Sequence, residues 1–378
     1  MKREYEAIVL GLGGIGSGAL YWLSRRLGGE VLGLEQFELG HDRGGSQDHS
    51  RIIRYTYHSP EYVRLAAGAY DAWEVVEEES GEQLVVRCGG LDLFPQGGSE
   101  PIGAYTGSLE ENGVPFEVLA SSEIRRRWPQ FRIEDDTEGL FQADGGYVKA
   151  AVANAAHQRL ARQRGATLLT GVAAWDISER DGEYEISTKK GTFTTARLVM
   201  ASGAWTRSLL SHFEVQLPLR VTQEQVTYFH PTDPQAFEPG RFPIWIWNDE
   251  PCYYGFPQHP SDGTKVAQDL GGEEVTAESR SYEPNAENLA GVQHFCRQHL
   301  PALEQVNYTK TCLYTLTPDR DFLLDAVPGQ SHAWFAVGAG HAFKFASHLG
   351  RILSEFALDG TTAAGIGPFK ADRNFLQE

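Results

Sequence analysis

The stretch AIVLGLGGIGSGALYWLSRRLGGEVLGLE, from Ala7 to Glu35, decides how the rest of the chain is read. Its first four residues form an apolar run with the length and residue types of a buried parallel strand. Gly11, Gly13 and Gly16 follow at G-x-G-x-x-G spacing. Ile15, Ala19, Leu23 and Leu27 recur every four residues, which predicts a helix that opens inside the glycine loop and lays one face on a sheet. A second short strand over Val31 to Leu34 ends on Glu35. In this reading Gly11 makes the tight turn and Gly13 lets the backbone approach a pyrophosphate. Gly16 lets helix and strand pack closely, and the helix N-terminus faces the phosphates. Glu35 lies close to the offset of about twenty residues at which an acidic side chain takes ribose hydroxyls. The order of strand, glycines, helix, strand and acid predicts a Rossmann-type dinucleotide site. Which dinucleotide it holds stays open, NAD included.

Composition narrows the remaining classes. A chain of 378 residues suggests two domains with ample core. The formal net charge of -18 disfavours nucleic acid and anionic membrane surfaces, both of which need a basic footprint. No apolar run approaches a membrane span. Lys2 and Arg3 precede the first strand as they would in a signal peptide, but Glu4 and Glu6 interrupt the pattern. A cytoplasmic protein is expected. Cys88, Cys252, Cys296 and Cys312 show no paired spacing, so neither disulfides nor a metal site is expected.

Further along, Ser59-Pro60-Glu61 is a helix start that Tyr62, Leu65, Ala69, Trp73 and Val76 continue. Residues 149–164 predict an alanine-rich helix closed by Gly165, followed by a small antiparallel meander to Thr195. Leu198 to Thr206 and Trp334 to Gly340 each read as a strand running into a glycine turn, with helices after them. Residues 217–305 read as strands rich in aromatics and prolines, with one helix over 286–299. The expected fold class is therefore α/β with α+β: a Rossmann-type domain interleaved with an antiparallel-sheet substrate domain. The nucleotide domain is placed at 1–85, 146–216 and 308–378, and the substrate domain at 86–145 and 217–307.

Four segments share a resemblance. Gln47-Asp-His-Ser-Arg51-Ile-Ile-Arg54 resembles the S-R-I-I-R segment of the monomeric sarcosine oxidase family, which includes N-methyltryptophan and pipecolate oxidases. That family is a branch of the FAD-dependent D-amino-acid-oxidase-like oxidoreductases. Tyr253-Tyr-Gly-Phe-Pro257, Thr311-Cys-Leu-Tyr-Thr-Leu-Thr-Pro-Asp319 and Gly340-His-Ala-Phe-Lys344 are similar to its Y-Y-G-F-P, C-x-Y-T-x-T-P-D and G-H-G-F-K segments. The resemblance implies FAD, linked covalently through Cys312, and oxidation of a secondary amine in an amino acid. It implies cofactor contacts at Gly11, Gly13, Gly16, Glu35, Ser46, Arg51, Cys312, Gly340 and Lys344. The partners implied are a small amino-acid substrate and O2, in a monomer or small homo-oligomer.

The chemistry assigns roles within that resemblance. An amino-acid carboxylate needs cationic donors, and the resemblance implies Arg54, with its planar fork, and Lys344, with a point charge. Arg51 matches an arginine beside the flavin ring, and Tyr254 and Tyr314 match pocket walls. His341 is the candidate to orient the substrate amine. Lys265 matches a lysine near flavin N5 that promotes reaction with O2. A cation about 4 Å from the superoxide formed by the first electron transfer is worth on the order of 4 kcal/mol at an effective dielectric of about 20. Two departures bear on the substrate: Asp269 stands where the family commonly has histidine, and Ala342 where it has glycine. Trp245 and Trp247 are candidates for a wall that accepts a bulky side chain, against plain core packing for one and exposure for the other. Alternative readings are a larger cyclic or biosynthetic amine or glycine derivative as substrate, or a flavin dehydrogenase serving a protein acceptor.

Overall fold

The apolar strand Ala7–Leu10 is buried along its whole length, so it must be covered on both faces. The computed structural model describes residues 2–373; Met1 and residues 374–378, at the ends of the expected nucleotide segments, lie outside the described residues. Ala7–Leu10 stands inside a six-stranded sheet, in the order Thr167–Leu169, Val31–Leu34, Ala7–Leu10, Leu198–Met200, Ala333–Val337 and Leu323–Ala326. All neighbours are parallel except the last pair. Strands from the start, middle and end of the chain thus meet in one sheet. The helices Gly14–Leu27 and Ala346–Asp359 pack together on one face, where Leu20, Leu23, Leu349 and Ile352 join Val9 and Val199 in the core. On the opposite face, Ile8, Leu10 and Met200 pack on Ile177, Ile186 and Phe193 of the expected antiparallel meander.

A nine-stranded sheet forms the second layer. It is antiparallel except where Ile244–Trp247 runs parallel to Gly90–Phe94. Gln305–Leu316 pairs with Arg220–His230 along nearly its whole length, so this sheet reaches Leu316, beyond the boundary expected at 307. Cys312, opposite Glu224, is carried by this sheet. A small sheet of Arg51–Ile53, Gly146–Val148 and Val85–Arg87 carries Arg51 and leads directly to Arg54.

One local expectation is corrected, and two elements add detail. Trp245 and Trp247 do not wall a pocket. Side chains alternate along Ile244–Trp247, so Trp245 packs on Phe131 and Phe295, and Trp247 on Phe295 and His299, while Ile246 turns to the other face. The helix expected after the Trp334–Gly340 segment begins as a 3-10 turn over Ala342–Phe345 and becomes α-helical at Ala346–Asp359, where left-handed Gly360 closes it. Ile102–Glu111 is a helix that propensity does not suggest, because Gly103, Thr106 and Gly107 disfavour it; burial of Tyr105 and Leu109 holds it in place. Among the described residues, no helix is long and apolar enough to cross a membrane.

Candidate active site

One cavity of about 1190 Å³ opens between the two sheets. Gly11, Gly13 and Glu35 line one end; Ser46, Arg51, Lys265 and Cys312 line the middle; Arg54, His341 and Lys344 line the far end. Tyr254, Tyr314, Gly340, Asp269 and Ala342 border it as well. Of the expected site residues, Gly16 alone stands behind the wall, because its part is to let the chain fold back on itself. A Cβ on Gly16 would come within 1.8 Å of the Gly11 carbonyl oxygen. Gly11 holds φ of +87°, a left-handed conformation that favours glycine.

The glycine end fits a dinucleotide. The Glu35 carboxylate is buried and accepts the backbone N–H of Leu12 at 2.8 Å and of Phe37 at 3.0 Å. Burial favours its neutral form, but His41 and these two amides outweigh burial, and the pKa is lowered. Glu35 is therefore an anion with spare lone pairs for ribose hydroxyls. Ser46 Oγ accepts the N–H of Gly14 at 2.8 Å, which pins the following loop over the helix start. Buried Asn154 Oδ1, on the helix Ala150–Gln163 beside this loop, has no hydrogen-bond partner among the described residues.

The middle of the cavity is organised by Asp48. Asp48 Oδ2 accepts from Lys265 Nζ at 2.9 Å and from Arg51 Nη1 at 3.3 Å, and Oδ1 accepts from Tyr228 OH at 2.6 Å. Burial disfavours the carboxylate, yet Lys265 and Arg51 keep it charged and hold its pKa far below the usual range. Asp48 adopts φ of 138°, uncommon for a residue with a side chain. Lys265 is 2% exposed, also donates to the Ser50 carbonyl at 2.6 Å, and lies 4.0 Å from the Phe256 ring centre. Burial lowers its pKa to about 8 despite Asp48. Arg51 donates to the carbonyls of Gly45 and Ser50, so it braces its own loop. Its charge acts on Cys312, whose thiol burial nevertheless pushes up. Cys312 is a free cysteine.

At the far end, Arg54 is ion-paired to fully buried Asp92, which also accepts from Thr56 Oγ1 at 2.7 Å. Arg320 Nη1 donates to Asp269 Oδ2 at 2.9 Å. The Lys344 carbonyl accepts from Trp73 Nε1 at 2.7 Å, while its ammonium, among the described residues, has no hydrogen-bond or ion-pair partner and lies 5.8 Å from the ring centres of Tyr57 and Phe345. Its pKa is lowered to about 7, first by burial and then by the charge of Arg54. Arg54 and Arg320 thus each have a carboxylate partner, and the Lys344 ammonium has no ion pair among the described residues. His341 Nε2 is 3.0 Å from the Arg320 carbonyl, and a carbonyl only accepts, so Nε2 carries the proton. Burial and then Lys344 hold the ring neutral, which leaves Nδ1 as an acceptor. The Tyr314 ring lies against Gly340.

Asp48, Asp92, Tyr228 and Arg320 are site residues that the sequence motifs do not single out. Asp48 lies inside the quoted Gln47–Arg54 segment, and a charged residue just before that apolar run is the available signal. Asp92, in the apolar strand Gly90–Phe94, is another, since an unpaired aspartate is rarely buried. Tyr228 and Arg320 carry no local signal.

Comparison with known proteins matches this geometry. Residues 6–356 match the family model described as FAD dependent oxidoreductase. The monomeric sarcosine oxidase of Streptomyces avermitilis is 34% identical over 99% of this chain and 98% of its own length. The N-methyl-L-tryptophan oxidase of Salmonella heidelberg is 30% identical over 98% of this chain and 99% of its own. The solved structure of NikD, "an unusual amino acid oxidase essential for nikkomycin biosynthesis", superposes with a TM-score of 0.87 at 24% identity, covering 98% of each chain, and shares the fold. A glycine cradle, a buried acid after the second strand and a cleft between two sheets are what a bound FAD requires, and the chain belongs to the FAD dependent oxidoreductase family.

Proposed function

We propose that this chain is an FAD-dependent oxidase of a secondary-amine or N-methyl amino acid, passing electrons to O2 and releasing an imine and hydrogen peroxide. The observation that carries this reading is Lys344, a half-buried cation without an ion-pair partner among the described residues, at the end of the cavity beside Arg54. A charge withdrawn from water demands a counter-ion, and a substrate carboxylate supplies it. FAD, when bound, accepts the hydride equivalent from the substrate. Gly11, Gly13, Glu35 and Ser46 would hold its ADP half, and Arg51, Cys312 and Gly340 its ring end. The six-stranded layer acts as the cofactor domain and the nine-stranded layer as the substrate domain.

The residues of the chain then divide the work. Arg54 stays charged because Asp92 overcomes its burial, and with Lys344 it binds the carboxylate. His341 Nδ1 accepts a hydrogen bond from the substrate amine and so orients it. Tyr254, Tyr314 and Ile246 exclude water. Lys265 supplies positive charge for the reduction of O2. Arg51 favours attachment of the cofactor at Cys312, since attack requires the thiolate and a cation stabilises it. The four free cysteines fit a reducing compartment, the cytoplasm.

A second reading rests on Asp48. A carboxylate at 2.9 Å offsets much of the field of Lys265, which favours a dehydrogenase passing electrons to a protein acceptor. Oxygen uptake by the purified yellow protein decides between them. Screened against N-methyl amino acids, proline, pipecolate and glycine, at least one amine is expected to drive oxygen consumption with stoichiometric peroxide. No uptake with any amine overturns the oxidase reading. After acid precipitation the yellow colour stays with the wild-type pellet and leaves with Cys312→Ser.

Lys344 also predicts a pH dependence. With a pKa of about 7 in the free enzyme it is charged below that pH and neutral above it. An anionic ligand prefers the charged form, so the inhibition constant of a simple carboxylate such as acetate rises as pH rises through 7. Lys344→Met abolishes this rise. Lys265→Met slows reoxidation by O2 much more than reduction by substrate; equal slowing of both rejects its role. Asp48→Asn leaves the Lys265 ammonium buried without its counter-ion and costs about 3–5 kcal/mol. The Asp48→Asn, Lys265→Met double variant loses less in denaturant titration than the two single losses added together.

A further inference from the structure

The loop bearing Asp48 continues into His49, and Asp262 closes the turn just before the strand that bears Lys265. Between them lies a cluster that the proposed oxidation does not use. His49 Nε2 is 3.2 Å from Asp262 Oδ2, and His259 Nδ1 is 2.8 Å from the same oxygen. The two imidazoles are stacked, with ring centres 4.1 Å apart and planes 16° from parallel. The other oxygen, Asp262 Oδ1, accepts from Tyr308 OH at 2.7 Å. The His49 ring is held at its edge by Tyr228, with ring centres 5.8 Å apart. Ser261 Oγ donates to Asp262 Oδ2 and lies 3.2 Å from His259 Nδ1. Among the described residues, this is the one place where three histidine, cysteine or carboxylate donors come within 4.8 Å of one another.

The donor set has a definite chemistry. Two imidazole nitrogens and one carboxylate suit late first-row divalent cations. Zinc bonds of about 2.0–2.2 Å place tetrahedral donors roughly 3.3–3.5 Å apart, so the observed separations of 2.8 and 3.2 Å need a small expansion, and the stacked rings must turn out of parallel for both lone pairs to reach one ion. Two stacked imidazolium rings would repel each other, so the stack requires at least one neutral ring, and a neutral ring has a free lone pair for a cation. Tyr308 holds the carboxylate from behind and leaves Oδ2 turned to the imidazoles, as an outer partner of a ligand does. Ser261 Oγ donates to the same Asp262 Oδ2, a bond that a bound ion would displace.

We propose that His49, His259 and Asp262 form an open three-ligand site for a divalent cation of the zinc type, which clamps the Asp48 loop to the turn ahead of Lys265. The spacing of the ligands, 210 and 3 residues apart in sequence, conceals the site from any local motif. The test is calorimetric titration of chelator-treated holoenzyme with zinc chloride, together with its melting temperature. One ion per chain is expected, with a higher melting temperature when zinc is bound. His259→Ala and Asp262→Asn, neither of which lines the cavity, should each weaken binding about 100-fold or more, and Tyr308→Phe about 10–100-fold. Far-UV circular dichroism checks that each variant is folded, and Tyr308→Phe keeps the test decisive if a ligand variant is not. Absence of saturable zinc binding by the wild type, or equal binding by the folded variants, overturns the proposal.

Discussion

A buried carboxylate at Asp48 holds the centre of this molecule together. It gathers Lys265 from the nine-stranded sheet, Arg51 from the small sheet, and Tyr228 from the strand beside Lys265. None of these groups is tolerable in the interior alone, because an unpaired buried charge loses its hydration without compensation. Together they satisfy one another, and the loop from Ser46 to Arg51 is thereby tied to the second layer. The unusual backbone of Asp48 is sustained by the three bonds its side chain makes. The cavity keeps its shape there because its walls are joined by charge as well as by packing.

The same rule governs the far end with a different result. Arg54 and Asp92 satisfy each other, as do Arg320 and Asp269, but Lys344 has no such counter-charge among the described residues. In the proposed reading this unpaired ammonium is what receives the substrate carboxylate. Asp269 is instructive, since a departure from the family pattern at that position adds an anion, and the structure meets it with Arg320. That pairing also ties His341 to the site, because the Arg320 carbonyl receives its proton. Asp269, Arg320 and His341 are thus joined in one short chain of contacts.

Much of this architecture is legible in the amino-acid sequence. The Ala7–Glu35 stretch, the late strands ending in glycine turns and the motif segments identify the layers and most of the residues that line the cavity. Residues such as Arg54, Lys265 and Lys344 are recognisable because each sits in a short segment with its own pattern. The counter-charges and the metal-type cluster are not legible in this way. Asp48 pairs with a residue 217 positions away and Asp92 with one 38 positions away, and no local pattern encodes a partner at such distances. Trp245 and Trp247 turn out to be core rather than wall, because alternation specifies that two residues share a face without saying which face meets the cavity.

Short stretches of the chain encode the dinucleotide loop, the interleaving of two layers and the cationic character of the pocket, because these follow from glycine geometry, hydrophobic period and residue type. Which charges are neutralised, which one is left over, and which histidines meet are settled only when the chain is folded. Those outcomes depend on strands distant in the chain becoming neighbours in a low-dielectric interior, where a separation of about 3 Å sets the state of a group far more strongly than its own identity does.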